Sequence, residues 1–122
     1  MVERIEDMPA GTIGFRAGGK VTRDDYRQLL EPALRKEVES GEVRMLYVVD
    51  VDFEMDGGAV FEDAKTGLQL GAGHLSAWKR TAVVTDVDWV ARAIRLFAWM
   101  APGEVKVWGL DGLAEAREWV AG

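Results

Sequence analysis

The run Val43-Arg44-Met45-Leu46-Tyr47-Val48-Val49 is nearly continuous in apolar residues, and it constrains the fold more than any other segment. A strand with one wet face alternates polar and apolar positions; a run like this suits a strand covered on both faces. Arg80-Thr81-Ala82-Val83-Val84-Thr85 is a second strand of the buried type. Helical spacing lies between and around these runs. Thr22 is a good N-cap, with Asp25 three residues on as a weak capping box, and Tyr26, Leu29, Leu30, Ala33, Leu34 and Val38 recur at helical intervals. Pro32 should kink that helix or shift its register. Ala59 to Leu70 places Phe61, Ala64 and Leu68 on one helical face, with Gly67 weakening it and Gly71 and Gly73 ending it. Asp86 or Asp88 is expected to cap a helix through Met100, which Ala101-Pro102-Gly103 stops. Val105 to Trp108 reads as a last strand and Gly112 to Ala121 as a short helix. At the start, alternation in Val2 to Met8, a turn at Pro9-Ala10-Gly11 and the segment Thr12 to Ala17 suggest two short antiparallel strands.

Strands alternating with helices predict an α/β fold: a mixed β-sheet of about five strands with about four helices, its parallel pairs joined by right-handed crossovers. With 122 residues and no internal repeat, linker or low-complexity segment, residues 1–122 are expected to form a single domain. A formal charge of -6 opposes sequence-independent binding to nucleic acid or anionic lipid, which reward clustered Lys and Arg. The absence of cysteine excludes a disulfide framework and thiolate chemistry. The N-terminal residues lack a secretory pattern and no apolar run is long enough to span a bilayer, so a cytoplasmic location is the default.

Chemistry concentrates where the central strand runs out. Asp50-Val51-Asp52-Phe53-Glu54-Met55-Asp56-Gly57-Gly58 carries four carboxylates at a strand-to-helix junction, the kind of place where α/β domains build sites. No Ser, Thr, Tyr, His or Cys lies between Val48 and Lys65. Asp52, Glu54, Asp56 and Gly57, with Asp63, fall on the spacing of a calcium loop. The third and last positions are atypical and a strand precedes where a helix is needed, so no metal is expected and the carboxylates read as solvated or as favouring the following helix's positive end. Gly14 with Gly19-Lys20 spells most of a P-loop, but Val21 stands where a magnesium-binding hydroxyl is required. Gly71-Ala72-Gly73 lacks the third glycine of a dinucleotide fingerprint and reads as a helix-ending turn. His74 is the single histidine and lies too close to Ser76 for an ordinary triad; catalytic residues and cofactors are therefore not expected.

The helix from Asp88 to Met100 has an apolar arc too wide for one buried side. Val90, Ala91, Ile94, Phe97 and Ala98 can face the sheet, while Trp89, Ala93, Leu96 and Met100 form an adjoining row; Asp88, Arg92 and Arg95 make the polar line, which Trp99 continues. Packing against a neighbouring helix is the plain reading, and a pocket or contact surface is the functional one. Arg92 and Arg95 beside Trp89 and Trp99 suit a headgroup or carboxylate held over an apolar tail.

Several segments together carry a resemblance: Gly19-Lys20-Val21-Thr22 with Asp25-Tyr26, Phe61-Glu62-Asp63-Ala64-Lys65, Arg80 to Asp86 with Trp89, and Glu115-Ala116-Arg117-Glu118-Trp119. In their order and spacing the chain resembles the SpoIIAA-like proteins of the STAS superfamily, whose fold is also similar to the lipid-binding Sec14/CRAL-TRIO domains. The resemblance implies a mixed sheet with helices on its faces and binding of an apolar ligand or association with membrane. Anti-sigma-factor antagonists of that superfamily are switched on a serine at the start of the second helix. Here Asp56-Gly57-Gly58 occupies that junction, which counts against a kinase switch and leaves Asp56 as a permanent, weaker negative charge.

Two functional expectations result. The first is a non-enzymatic domain that binds an apolar or amphipathic, lipid-like small molecule between the second and third helices, through Phe53, Met55, Phe61, Trp89, Arg92, Leu96, Trp99 and Met100, with membrane association peripheral at most. The second is a regulatory module that docks a protein partner at Asp56, Gly57 and Gly58. Self-association as a homodimer is open in both, and nucleic acid is a partner in neither.

Overall fold

The computed structural model describes residues 1–55, 77–100 and 103–122. Strand β1 (Val2–Ile5) pairs antiparallel with β2 (Ile13–Ala17) across the expected turn, where Thr12 donates both its N–H and its hydroxyl to the Pro9 carbonyl at 3.1 and 2.6 Å. A short β3 (Lys20–Val21) leads to the expected capping box. Asp25 accepts from the Thr22 N–H at 2.9 Å, and the Thr22 hydroxyl accepts from the Asp25 N–H at 3.4 Å. From there α1 (Arg23–Asp25) passes through a π-helical stretch, Tyr26–Leu30, into α2 (Glu31–Glu39). Pro32 accounts for the wide turn. It has no N–H to give the carbonyl four residues back and its ring crowds that carbonyl, so the turn before it opens and Glu31 donates five residues back to Tyr26.

The apolar runs become β4 (Val43–Val49) and β6 (Trp78–Thr85), with a two-residue β5 (Glu54–Met55) paired to β3 in a separate small ladder. Helix α3 (Asp88–Phe97) ends in a 3₁₀ turn, Ala98–Met100; β7 (Glu104–Trp108), a second 3₁₀ turn and α4 (Leu113–Ala121) complete the chain. The main sheet has the order β1-β2-β4-β6-β7, with every pair parallel except β1 with β2. This is the mixed five-stranded α/β sheet predicted. The expected helix over Ala59 to Leu70 lies outside the described residues.

Because each parallel strand is added on the same side of the last, right-handed crossovers lay α2 and α3 on one face. There Leu30, Leu34 and Val38, with Val90 and Ile94, pack over Ile13, Phe15, Val43 and Val49. The opposite face is covered by α4, whose Ala116 and Val120 close on Leu46, Val48, Ala82 and Val84. Coverage on both sides is why β4 and β6 carry so little polarity.

Two guanidiniums from the sheet hold the last turn of α4. Arg80 donates to the Trp119 carbonyl at 2.7 Å and Arg44 to the Val120 carbonyl at 3.2 Å, serving acceptors that a helix end leaves open. One sequence expectation needs correction. The residue before α3 is Val87, and no side chain caps the helix. Val87 donates to the Thr85 hydroxyl at 3.0 Å, and Asp86 accepts from the Leu110 N–H at 3.0 Å, tying β6 to the turn before α4. Asp88 lies within the first turn, where its charge favours the helix dipole without bonding the end. The α-helix also stops at Phe97, with the 3₁₀ turn carrying the chain to Met100.

Candidate functional site

The loop that leaves β4 is pinned by backbone bonds. Asp50 donates to Ala17 at 2.9 Å, Phe53 donates back to Asp50 at 3.1 Å and Glu54 donates to Gly19 at 2.8 Å. This sets Phe53 against the first turn of α3, where its ring stacks on Trp89 with centroids 5.8 Å apart and planes 29° apart. Phe53 is buried, and Trp89 is 53% exposed.

On α3, Val90 and Ile94 point into the core. Trp89 and Leu96, seven residues apart, share a neighbouring side, and Leu96 is 64% exposed. Trp99, in the following 3₁₀ turn, is 81% exposed. Arg92 lies between Trp89 and Leu96 in sequence, and both Arg92 and Arg95 are exposed with no ion pair among the described residues. The arrangement is an apolar strip starting from the Phe53–Trp89 stack, with two cations on the same helix. An apolar surface of this kind beside fixed positive charge suits an amphipathic anion.

Of the expected ligand-binding residues, the structure brings Phe53 and Trp89 into contact and puts Arg92, Leu96 and Trp99 on the same helix and its terminal turn, all open to solvent. Phe61, Asp56, Gly57 and Gly58 lie outside the described residues, as do the side chains of Met55 and Met100. Packing of Leu96 against a neighbour is not what the described residues show, since most of its surface is open. Val51, 71% exposed between two aspartates, was not among the expected residues although it adds apolar surface to the loop that carries Phe53. Its signal in the sequence is a lone apolar residue in a polar turn.

The acidic junction resolves into separate roles. Asp50 faces Arg16 at 3.7 Å, and both Asp50 and Asp52 lie against Gly18, where a Cβ would meet their oxygens at 2.9 and 3.4 Å. Among the described residues no group of three His, Cys, Asp or Glu converges to hold a metal ion, and Asp56 and Asp63 of the calcium-loop spacing lie outside them. The near P-loop spacing is taken up by strands: Gly14 belongs to β2, and Lys20 to β3. His74, Ser76, Gly71 and Gly73 lie outside the described residues. One carboxyl is tuned by its neighbours. Glu42 is exposed, and a hydrogen bond from Arg44 holds it below the usual carboxylate range, aided by the charges of Arg44 and Lys79. That pair sits at the start of β4.

No helix among the described residues is long and apolar enough to cross a membrane. The SpoIIAA-like family model matches residues 12–121. An uncharacterised protein of the DUF3478 family from Shewanella loihica PV-4, described as having a SpoIIAA-like fold, superposes with a TM-score of 0.71. It is 23% identical, and the match covers 98% of this chain and 93% of that one. No curated protein matches.

Proposed function

This chain belongs to the SpoIIAA-like family, and we propose that it acts without catalysis, as a binding domain for an apolar or amphipathic small molecule of lipid-like character. The observation that supports this reading most is the strip on α3. Trp89 is anchored on Phe53 at one end while Leu96 and Trp99 stay open to water, an arrangement that leaves large apolar groups uncovered on an otherwise well-packed fold. Covering such a side chain returns about 1.5–3 kcal/mol, enough in combination to hold a single acyl chain. Arg92 and Arg95 supply the place for a carboxylate or phosphate head. Peripheral contact with a membrane is the extended form of the same reading, limited by the net charge of -6.

Titration with oleate tests it. Native mass spectrometry is expected to show a one-to-one adduct and tryptophan emission to shift, with Trp89→Phe identifying the responding ring and Leu96→Ser weakening binding about tenfold, the loss of roughly one buried side chain. An unchanged mass together with flat emission would remove the proposal. The regulatory reading, a partner docked at Asp56, Gly57 and Gly58, is separable from it: Asp56→Lys should abolish partner recovery from the native host and leave oleate binding intact.

A further inference from the structure

Strand β7 ends the sheet: it pairs with β6 on one side, and among the described residues no strand pairs with its other edge. An open strand edge is a template for another strand, and chains usually guard it with a projecting charge. The charges on β7, though exposed, turn over one face of the sheet and do not project past its edge. The Lys106 ammonium lies 5.2 Å from the centre of the Trp119 ring, and Glu104 leans to Arg80 at 3.7 Å. Both side chains therefore lie on the α4 face of the sheet, and by alternation Val105 and Val107, each half-buried, lie on the other.

We propose that β7 is a self-association edge, pairing antiparallel with β7 of a second copy about a two-fold axis at Val105. An axis perpendicular to the sheet keeps each side chain on its own face, so the axis must pass through a residue and the choices are few. At Val105 it sets Glu104 opposite the partner's Lys106, and Lys106 opposite the partner's Glu104, with valine against valine between them. At Glu104 or Lys106 it would set like charges face to face. At Val107 it would move Glu104 opposite the partner's Leu110, past the end of the strand, and give it no ionic partner. Charge complementarity thus selects both the occupant and the register. The ladder joins two five-stranded sheets into one of ten, through a small contact of the weak and reversible class.

Size-exclusion chromatography with light scattering is expected to show concentration-dependent dimers. Glu104→Lys and Lys106→Glu each oppose like charges and should raise the dissociation constant about tenfold, whereas the double reversal restores it. Circular dichroism confirms that each variant is folded. The chain has no cysteine, which permits an independent readout: mild oxidation should cross-link Val105→Cys into a symmetric dimer and leave Val107→Cys monomeric. A wild type that stays monomeric to near-millimolar concentration, a double reversal that stays apart, or cross-linking at Val107→Cys in place of Val105→Cys would overturn the proposal.

Discussion

Gly103 and Gly14 both leave no room for a side chain, yet for different reasons with different consequences. At Gly103 the backbone takes φ +74°, and a Cβ would stand 2.5 Å from the Trp78 carbonyl oxygen and 2.8 Å from that of Lys79. Neither the left-handed conformation nor the backbone of β6 can give way. At Gly14 the nearest neighbours are the Met8 Sδ at 2.7 Å and Cγ at 2.9 Å, the flexible part of an adaptable side chain, with the Ile5 Cβ at 3.2 Å beyond them. Urea denaturation should therefore find Gly103→Ala costing more than the 1–3 kcal/mol typical of local strain, roughly, and Gly14→Ala costing less than about 2 kcal/mol. Equal losses would mean that the approach to Trp78 and Lys79 is not what keeps residue 103 a glycine. The difference in legibility has the same origin. Gly103 follows Ala101-Pro102 as a recognisable stop, because turn chemistry is written in adjacent residues. Nothing beside Gly14 announces Met8, which reaches it across a hairpin. Phe53 and Trp89 each stand out in the sequence by local pattern, but 36 positions separate them and the pinned loop after β4 makes them a stack.

The same contrast between local and distant demand governs the ends of the helices. The box of Thr22 and Asp25 spans three residues and was readable in advance. At α3 the nearby aspartates suggested a cap, but Asp86 is claimed by Leu110, 24 residues on, a demand set by where β7 ends. Pro32 announced a break; that the break takes the form of a π turn over Tyr26–Leu30 depends on keeping Tyr26, Leu30, Leu34 and Val38 all inside the core. At α4 the C-terminal turn depends on a residue of β6. The Arg80 guanidinium bonds the Trp119 carbonyl and lies 4.9 Å from the centre of that residue's ring, joining hydrogen bond, helix dipole and cation–π contact in one side chain. Arg80→Met keeps the stem and removes all three. With Arg80 partly open to solvent, the expected loss is about 1–2 kcal/mol, read from urea denaturation, and amide exchange should rise first at the last turn of α4. A variant with wild-type protection there would show that Arg44 alone suffices.

At the scale of the molecule, strand order decides which surfaces are structural and which are spare. An order of β1-β2-β4-β6-β7 has no reversal among its parallel strands, so it lacks the crevice that opens where crossovers diverge to opposite faces. The exposed apolar surface lies instead on the helical layer, where α3 leaves Trp89 and Leu96 uncovered. Among the described residues α4 shows no such surplus. On the opposite face, among the described residues, α4, helped by Ile5, Met8 and Leu110, dries four strand residues, Leu46, Val48, Ala82 and Val84, each fully buried with Val120 against them. Gly112 to Ala121 reads in the sequence only as a short helix and Asp88 to Met100 as one with a wide apolar arc, and periodicity alone cannot say which apolar side covers the core and which is spare, because that depends on what lies opposite. Matched substitutions separate the two. Val120→Asp places an unpaired carboxylate among fully buried residues, at a cost of several kcal/mol that a fold of ordinary marginal stability cannot absorb, so the variant should be largely unfolded by circular dichroism at neutral pH. Leu96→Asp introduces the same charge on a surface already open to water and should leave the melting transition within about 0.5 kcal/mol of wild type while removing oleate binding. If Leu96→Asp instead melts the domain, the strip on α3 is core in solution and the binding proposal loses its surface; if it keeps both stability and ligand, the ligand lies elsewhere.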